Sequence, residues 1–260
     1  MRRVQPKKNL GQHFLNDNNI ARKIAGTLSN EGYSSVLEIG PGMGTLTRCL
    51  IDMPFSDFRV IEIDNESVHY LQSNLPELKN IIRGDFLKLD LDAYFPDKLA
   101  IVGNFPYNIS TQILFKVLDH RNKVMEVCGM FQKEVAERIC APSGSKTYGI
   151  MSVLIQAYYS TEYLFTVPAT VFTPVPRIKS GVIRLKRNEV NILDCDESLF
   201  VRVVKSCFNQ RRKTLRNSVK SAFSLKRDDY HGFHLRPEQL SVEQFIQLTN
   251  WIQVNSEGSE

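Results

Sequence analysis

A five-residue apolar segment that runs into a glycine-rich turn constrains this chain more than any other feature. The segment at 35–39 reads SVLEI and is followed by glycines at positions 40, 42 and 44, after which residues 45–50 resemble the start of a helix. Glycine at such a turn lets the backbone bend sharply and approach a bound ligand closely. The pattern therefore predicts a strand, a tight turn and a helix, with a ligand site at the turn.

Strand-like and helix-like segments alternate along the residues that follow. This alternation predicts an α/β fold with a mostly parallel sheet that is covered by helices on both faces. The last two strand-like segments have no helix between them, and we expect a hairpin-like pair at one edge of the sheet. The strand-like segments are 58–63, 80–83, 99–103, 127–131, 162–167 and 180–185, and the helix-like segments are 65–75, 113–118, 133–140 and 148–157.

The pattern changes after residue 187. Residues 188–195 have the character of a linker, and from 196 onward the apolar residues recur at helical spacing. We predict a catalytic domain over 1–187, the linker, and a small all-helical domain over 196–260.

The amino-terminal residues 1–15 mix charge, glycine and isolated apolar residues without a period, so we expect an arm rather than a helix. The cluster Asn16-Asp17-Asn18-Asn19 is a strong helix cap, and the helix it predicts carries Ile20, Ile24 and Leu28 on one face.

The composition is that of a folded soluble protein, with 42% hydrophobic and 23% charged residues. No run of 18 apolar residues predicts a membrane span, and no apolar run follows the basic amino terminus as in a secretory signal. The five cysteines are odd in number and show no CxxC spacing. We therefore expect reduced thiols in a cytoplasmic protein, with neither a disulfide framework nor a metal site.

The net charge of +5 is unevenly distributed. Between Arg202 and Arg227 there are nine Lys or Arg residues and no Asp or Glu. Such a segment is either a phosphate-binding surface or a solvated helix face. Within it, a run at 209–216 is expected to place cations on a helix that binds RNA phosphates. Those cations are Arg211, Arg212, Lys213 and Arg216.

Acidic residues stand at three predicted strand ends. Glu38 opens the glycine turn, which resembles the nucleoside-binding loop of class I methyltransferases. The turn lacks the third glycine of the dinucleotide-binding fingerprint. Glu62 is suited to accept from both ribose hydroxyls, with Asp64 as the alternative, and Asp85 is expected to accept from an adenine amino group. The predicted nucleoside-binding residues are Glu38, Gly40, Gly42, Gly44, Glu62, Asp85 and Phe86.

The stretch Asn104-Phe105-Pro106-Tyr107, directly after the fourth strand, is the candidate reaction site. The N6 amine of adenine is a poor nucleophile because its lone pair is delocalised into the ring, and an acceptor on each N–H would localise that pair. The Asn104 side-chain oxygen and the Phe105 carbonyl are the predicted acceptors. Pro106 stiffens the turn and Tyr107 offers a ring on which an extruded base can stack. Phe172, on a loop with two prolines, either sandwiches that base or packs in the core.

These residues resemble those of the ribosomal RNA adenine dimethyltransferase family of the KsgA type. The resemblance covers nearly the whole chain and is carried by residues 9–15, 38–44, 104–107, 172–176 and 208–215. It implies a Rossmann-like class I methyltransferase fold and S-adenosyl-L-methionine as cofactor. It further implies dimethylation of two adjacent adenines in the 3′-terminal hairpin loop of 16S rRNA, within a partly assembled small ribosomal subunit.

The resemblance also implies site residues. The residues expected to contact the cofactor are His13, Leu15, Gly40, Glu62, Asp85 and Asn104. His13 stands where many relatives carry Asn, and Phe105 stands where many carry Leu. Both changes preserve the expected roles, because His13 still forms hydrogen bonds and Phe105 acts through its main-chain carbonyl.

Two other functions remain open. A large-subunit rRNA adenine methyltransferase that confers macrolide resistance shares the cofactor loop and the Asn-x-Pro-Tyr type of motif, although the run at 208–213 favours the small-subunit enzyme. The second open function is that of a ribosome-assembly factor that acts mainly by binding RNA. The glycine spacing disfavours a nicotinamide dehydrogenase, and no segment is large enough for the target-recognition domain of a DNA methyltransferase. We expect a monomer with no membrane partner.

Overall fold

The computed structural model describes residues 4–256, and these contain nine strands and ten α-helices. The strands are β1 (Phe14–Leu15), β2 (Ser35–Ile39), β3 (Asp57–Glu62), β4 (Ile81–Arg83), β5 (Leu99–Asn104), β6 (Val124–Gln132), β7 (Tyr159–Val167), β8 (Phe172–Thr173) and β9 (Ser180–Arg187). The helices are α1 (Asn18–Ala25), α2 (Thr47–Ile51), α3 (Asn65–Asn74), α4 (Leu91–Tyr94), α5 (Ser110–Asp119), α6 (Lys133–Ile139), α7 (Ile150–Gln156), α8 (Glu197–Asn209), α9 (Leu215–Lys220) and α10 (Val242–Asn255).

Seven strands form one sheet in the order β4-β3-β2-β5-β6-β9-β7. The five strands from β4 to β6 are parallel neighbours, and β9 runs antiparallel to β6. Every residue of β2 is buried, as expected for a central parallel strand that is covered on both faces. The predicted α/β fold is confirmed, and so is the pairing of the last two strands at one edge.

The strand order explains where a ligand site forms. The chain leaves β2 toward β3 and β4 on one side and returns to β5 and β6 on the other. The carboxyl ends of β2 and β5 therefore flank the point at which the strand order reverses. Open α/β sheets bind ligands in the crevice at this point.

The first helix forms as its sequence predicts. The Asp17 carboxylate accepts hydrogen bonds from the main-chain N–H groups of Asn19 and Ile20, which stabilises the amino end of α1. Ile24 on the inner face of this helix is fully buried and packs in one core cluster with Val36 of β2 and other residues of the sheet. The helix is thereby fixed against the strand that leads to the glycine turn.

The amino-terminal arm is more ordered than predicted. Its described part contains a 3₁₀ turn at Lys8–Leu10 and the strand β1, which pairs antiparallel with β8. Asn16 reinforces this small sheet, because its side-chain amide donates to the Thr173 hydroxyl at 2.7 Å. The loop predicted after residue 171 therefore begins with a strand.

The described residues fold into two compact units, one of residues 4–136 with 161–187 and one of residues 137–160 with 188–256. Residues 137–160 group with the carboxyl-terminal helices because α7 packs on α8 and α10, and this grouping differs from the predicted domain bounds. The terminal residues 1–3 and 257–260 of those predicted domains lie outside the described part.

Within residues 4–256, no helix is both long and apolar enough to cross a bilayer, and the five cysteines form no disulfide with one another.

Candidate active site

A cavity lies at the carboxyl ends of β2, β3 and β5. Its wall is formed by the amino-terminal arm, the glycine turn, and the turns that follow β3, β4 and β5. The sequence-predicted residues that line it are His13, Leu15, Glu38, Gly40, Gly42, Glu62, Asp85, Phe86, Asn104, Phe105, Pro106 and Tyr107. Gly44 and Phe172 are not among the residues of this wall.

Glycine is required at positions 42 and 44 of the turn for two different structural reasons. Gly42 has a φ of 55°, and a Cβ atom there would lie 2.8 Å from the ring of Phe14. The absence of a side chain at Gly42 therefore lets the amino-terminal arm pack closely against the glycine turn. Gly44 has a φ of 78° and would place a Cβ 2.9 Å from Leu75. Gly44 therefore serves the packing of the turn, whereas Gly42 is part of the cavity wall.

Of the two acids at the carboxyl end of β3, Glu62 within the strand and Asp64 just after it, only Glu62 lines the cavity. Its carboxylate accepts from the N–H of Gly42 at 3.1 Å and from that of Asp64 at 2.9 Å. Asp64 is instead buried among its own donors, which are the side chains of Lys7, Gln12 and Ser67. Each carboxylate oxygen of Glu62 still has capacity for one more donor, such as a ligand hydroxyl.

The other two carboxyl groups of the cavity each have an oxygen that accepts from no donor in the described part of the chain. The Glu38 side chain is buried and its Oε2 makes no hydrogen bond. Burial raises the pKa of Glu38 to about 8, and the neighbouring Glu62 adds to the rise. Asp85 uses Oδ1 to accept from Leu87 N at 2.9 Å, which leaves Oδ2 available.

The charge of the wall selects among ligands. Three carboxyl groups line the cavity and, among residues 4–256, no Lys or Arg does. Ionised carboxylates of this wall would stabilise a bound nucleoside that carries a positive centre.

The turn after β5 presents two acceptors. The Asn104 amide nitrogen donates to the main-chain carbonyl of His13 at 2.8 Å. A carbonyl oxygen can only accept, so this contact orients the amide and leaves Asn104 Oδ1 as an acceptor. No donor in residues 4–256 bonds Oδ1 or the carbonyl of Phe105, although Phe105 N itself donates to Met130 O at 3.3 Å. The Phe105 ring is buried, so Phe105 meets a ligand through its main chain.

Tyr107 is half-buried and held at two places. Its hydroxyl lies 2.6 Å from the hydroxyl of Ser180, and its ring stacks on that of His13 with the centroids 5.4 Å apart. The His13 Nδ1–H donates to the carbonyl of Pro174 at 2.7 Å. The Tyr107 ring is thus held by His13 of the arm and by Ser180 of β9, and His13 is held in turn by the loop after β8.

Phe172 corrects a prediction. Its side chain is 1% exposed and belongs to the core cluster of Leu15, Val167 and Val182. A ring in this position cannot stack on a base, so the predicted sandwich is contradicted and the core alternative holds. The reason is the antiparallel pairing with Leu15, which turns Phe172 toward the sheet.

The basic run also differs from its prediction. Helix α8 ends at Asn209 and α9 begins at Leu215, so residues 210–214 form a turn between two helices. Arg216 forms an ion pair with Asp228, and Arg211 donates to the carbonyl of Lys146. Arg212 and Lys213 are exposed and form no ion pair within the described residues. Those two are therefore the free cations of the predicted set.

Sequence reasoning missed several residues of the wall. Gln12 and Ile63 both line the cavity, and the Ile63 side chain is 51% exposed directly after Glu62. The run at 9–15 contained the signal for Gln12. For Ser180, which touches Tyr107, nothing in its local sequence distinguished it from any serine at the start of a strand.

The chain is similar to known proteins over nearly its whole length. Residues 3–254 match the family described as ribosomal RNA adenine dimethylase. "Ribosomal RNA small subunit methyltransferase A" of Cytophaga hutchinsonii is 58% identical over 258 residues, which cover 97% of this chain and 99% of the relative. The protein of the same name from Flavobacterium johnsoniae is also 58% identical and covers 98% of both chains.

Two crystal structures share the fold. A dimethyladenosine transferase from Plasmodium falciparum has a TM-score of 0.75 at 23% identity, covering 91% of this chain and 96% of that one. The 23S rRNA methyltransferase ErmE has a TM-score of 0.66 at 23% identity, covering 92% and 99%. With its cavity, its two acceptors and these relatives, the chain belongs to the ribosomal RNA adenine dimethylase family.

Proposed function

We propose that this member of the family transfers methyl groups from S-adenosyl-L-methionine to the N6 atoms of two adjacent adenines in the 3′-terminal hairpin loop of 16S rRNA. The observation that carries the proposal is the pair of free acceptors, Asn104 Oδ1 and the Phe105 carbonyl, at the wall of a cavity with three carboxyl groups. The names of the relatives support the small-subunit substrate.

The cavity residues fit the cofactor. Glu38 has a buried oxygen without a partner, Asp85 has a free oxygen, and Glu62 lies between them at the end of β3. We assign Glu62 to the ribose hydroxyls and Asp85 to the adenine amino group, while the arm residues His13 and Leu15 close the site. When bound, the cofactor supplies an electrophilic methyl group on a positively charged sulfur.

The two acceptors act on the target amine. Each N–H of adenine N6 donates to one oxygen, Asn104 Oδ1 or Phe105 O, which favours a pyramidal nitrogen whose lone pair is localised. Asn104 serves better than an aspartate, because the amine loses its proton readily once it is alkylated and needs positioning rather than a base. Pro106 fixes the turn and Tyr107 provides the stacking ring for the extruded base.

The macromolecular partner is a small ribosomal subunit that is not yet mature. Arg212 and Lys213 are the free cations that support phosphate contacts, and we propose that the protein acts as a monomer in the cytoplasm. The experiment that follows distinguishes this function from two alternatives. These are methylation of large-subunit rRNA and a role in ribosome assembly that depends mainly on RNA binding.

The test is tritiated methyl transfer to undermethylated small subunits, followed by nucleoside analysis. We expect N6,N6-dimethyladenosine from the wild type, and we expect Asn104→Ala to lower turnover by roughly 10²- to 10³-fold, as when one preorganised polar contact to the reacting group is removed. Cofactor affinity should fall but remain measurable, because Asn104 also holds the arm.

Asn74→Ala is the matched control, since Asn74 likewise donates to a main-chain carbonyl, that of Tyr70, but lies outside the cavity. Unchanged turnover in Asn104→Ala would refute the role of the acceptor pair. Labelling of large subunits alone would support the macrolide-resistance activity instead, and rescue of subunit assembly by Asn104→Ala would favour a binding role.

A further inference from the structure

One contact at the cavity wall has no part in the acceptor geometry. The hydroxyl of Tyr107 lies 2.6 Å from that of Ser180, which is the first residue of β9 and is fully buried. Ser180 pairs across the sheet with Gln132 of β6, so its position is set by the strand ladder. A rigid part of the sheet thereby holds the tip of the ring that is expected to carry the target base.

The two faces of that ring are not equivalent. His13 stacks on one face at a centroid distance of 5.4 Å and an interplanar angle of 29°. Rings at this separation are already in contact, so no purine fits between them. Phe172 is buried and cannot serve as a second stacking ring. The opposite face of Tyr107 is therefore the one available to an incoming base.

We propose that Ser180 is a positioning residue for the target adenine, because its buried hydroxyl fixes the tip of Tyr107 and so presents the ring face opposite His13 to the base. This role rests on the proposed function. Stacking contributes to catalysis only while the ring keeps the amine within a narrow range of distances from the two acceptor oxygens. A hydrogen bond between the ring hydroxyl and a buried neighbour restrains the ring in this way. Burial also raises the pKa of Tyr107, so the hydroxyl stays neutral and retains the bond at neutral pH.

The test is a double-mutant cycle with Ser180→Ala, Tyr107→Phe and the double variant. Each single change removes the hydrogen bond and leaves the ring in place. We expect each to lower kcat for methyl transfer to undermethylated small subunits by roughly three- to tenfold, the fold-change that one net hydrogen bond corresponds to. The double variant should lose no more than either single variant, since the two groups act as one.

Two further readouts separate positioning from general stability. KM for the subunits should stay unchanged because phosphate contacts dominate RNA affinity, and the Kd for S-adenosyl-L-methionine should stay unchanged because neither hydroxyl belongs to the proposed cofactor set. Ser35→Ala is the control, as Ser35 is a buried serine of the same sheet whose hydroxyl donates to Asp57 outside the cavity. It should keep the wild-type kcat.

Wild-type kcat in Ser180→Ala would overturn the proposal, and so would losses that multiply in the double variant or a parallel fall in cofactor affinity. A wild-type protein that forms no dimethyladenosine would refute the proposed function itself, and the role of Ser180 with it. An active wild type with an unaffected Ser180→Ala would refute only the positioning role.

Discussion

The buried carboxyl of Glu38 makes the stability of the ligand-free protein depend on pH in a measurable way. Burial raises its pKa from an ordinary value of 4.5 to about 8. Between these values the folded protein keeps a proton that the unfolded chain has lost, so the free energy of unfolding falls as pH rises. A pKa moved this far corresponds to roughly 5 kcal/mol at about 1.4 kcal/mol per pKa unit. The loss is complete once pH exceeds the folded value.

We therefore expect Glu38→Gln to lack this pH dependence. Glutamine has nearly the same shape and stays neutral, so the variant should gain stability relative to wild type between about pH 5 and pH 8.5, by up to roughly 5 kcal/mol. The assay is urea denaturation at a series of pH values without cofactor, followed by circular dichroism. Each midpoint and slope gives a free energy of unfolding.

Glu126→Gln provides the contrast. Glu126 is buried to the same extent, but its carboxylate accepts from Ser29 and from the Tyr33 hydroxyl. An amide nitrogen would face those donors, so this variant should be less stable than wild type at both ends of the pH range. If the wild type and Glu38→Gln differ by the same free energy at about pH 5 and pH 8.5, Glu38 does not retain its proton and the reasoning above is wrong.

Two other predictions concern residues whose placement the structure changed. Phe172→Ala should lower the free energy of unfolding by about 3–5 kcal/mol in urea denaturation, because it empties a core position. Phe172→Leu should lose less, and a Phe172→Ala protein of wild-type stability with impaired turnover would favour a stacking role after all. Replacing both Arg212 and Lys213 by Ala should reduce the slope of log affinity for small subunits against log salt by about two, one per phosphate contact. Arg216→Ala, whose cation is paired with Asp228, should change the slope less, and an unaltered slope in the double variant would mark the turn as a solvated surface.

The sheet was predictable because buried parallel strands consist of continuous apolar runs. Strand β2 spans 35–39 as predicted, and β3 is displaced from its prediction by one residue at each end. Helix α5 begins at Ser110, three residues before the predicted apolar segment, because its first turn is polar and carries no apolar period. Element bounds are set by hydrogen bonds at the ends, to which a hydrophobic pattern is insensitive.

The candidate site was predictable where adjacent residues act together and unpredictable where distant ones meet. Asn104 and Phe105 are neighbours whose chemistry follows from their types and their position after a strand. The direction of Phe172 depends on its pairing with β1, and the contact of Ser180 with Tyr107 spans 73 residues. The turn at 210–214 has the polar composition that an exposed helix would also have, so composition could not distinguish the two.

The pairing of β1 with β8 also sets the order in which the cavity is completed. During synthesis the arm is made before Thr173, so Asn16 and the strand before it must wait for that residue, 157 positions later. The parallel core from β2 to β6 can assemble in that interval with its ligand crevice still uncovered on the arm side. Closure is thus a late, long-range event of folding, which loop-closure entropy makes slow. A nascent chain halted before this point carries the glycine turn and the Asn104 turn, but not the small sheet that holds the arm over them.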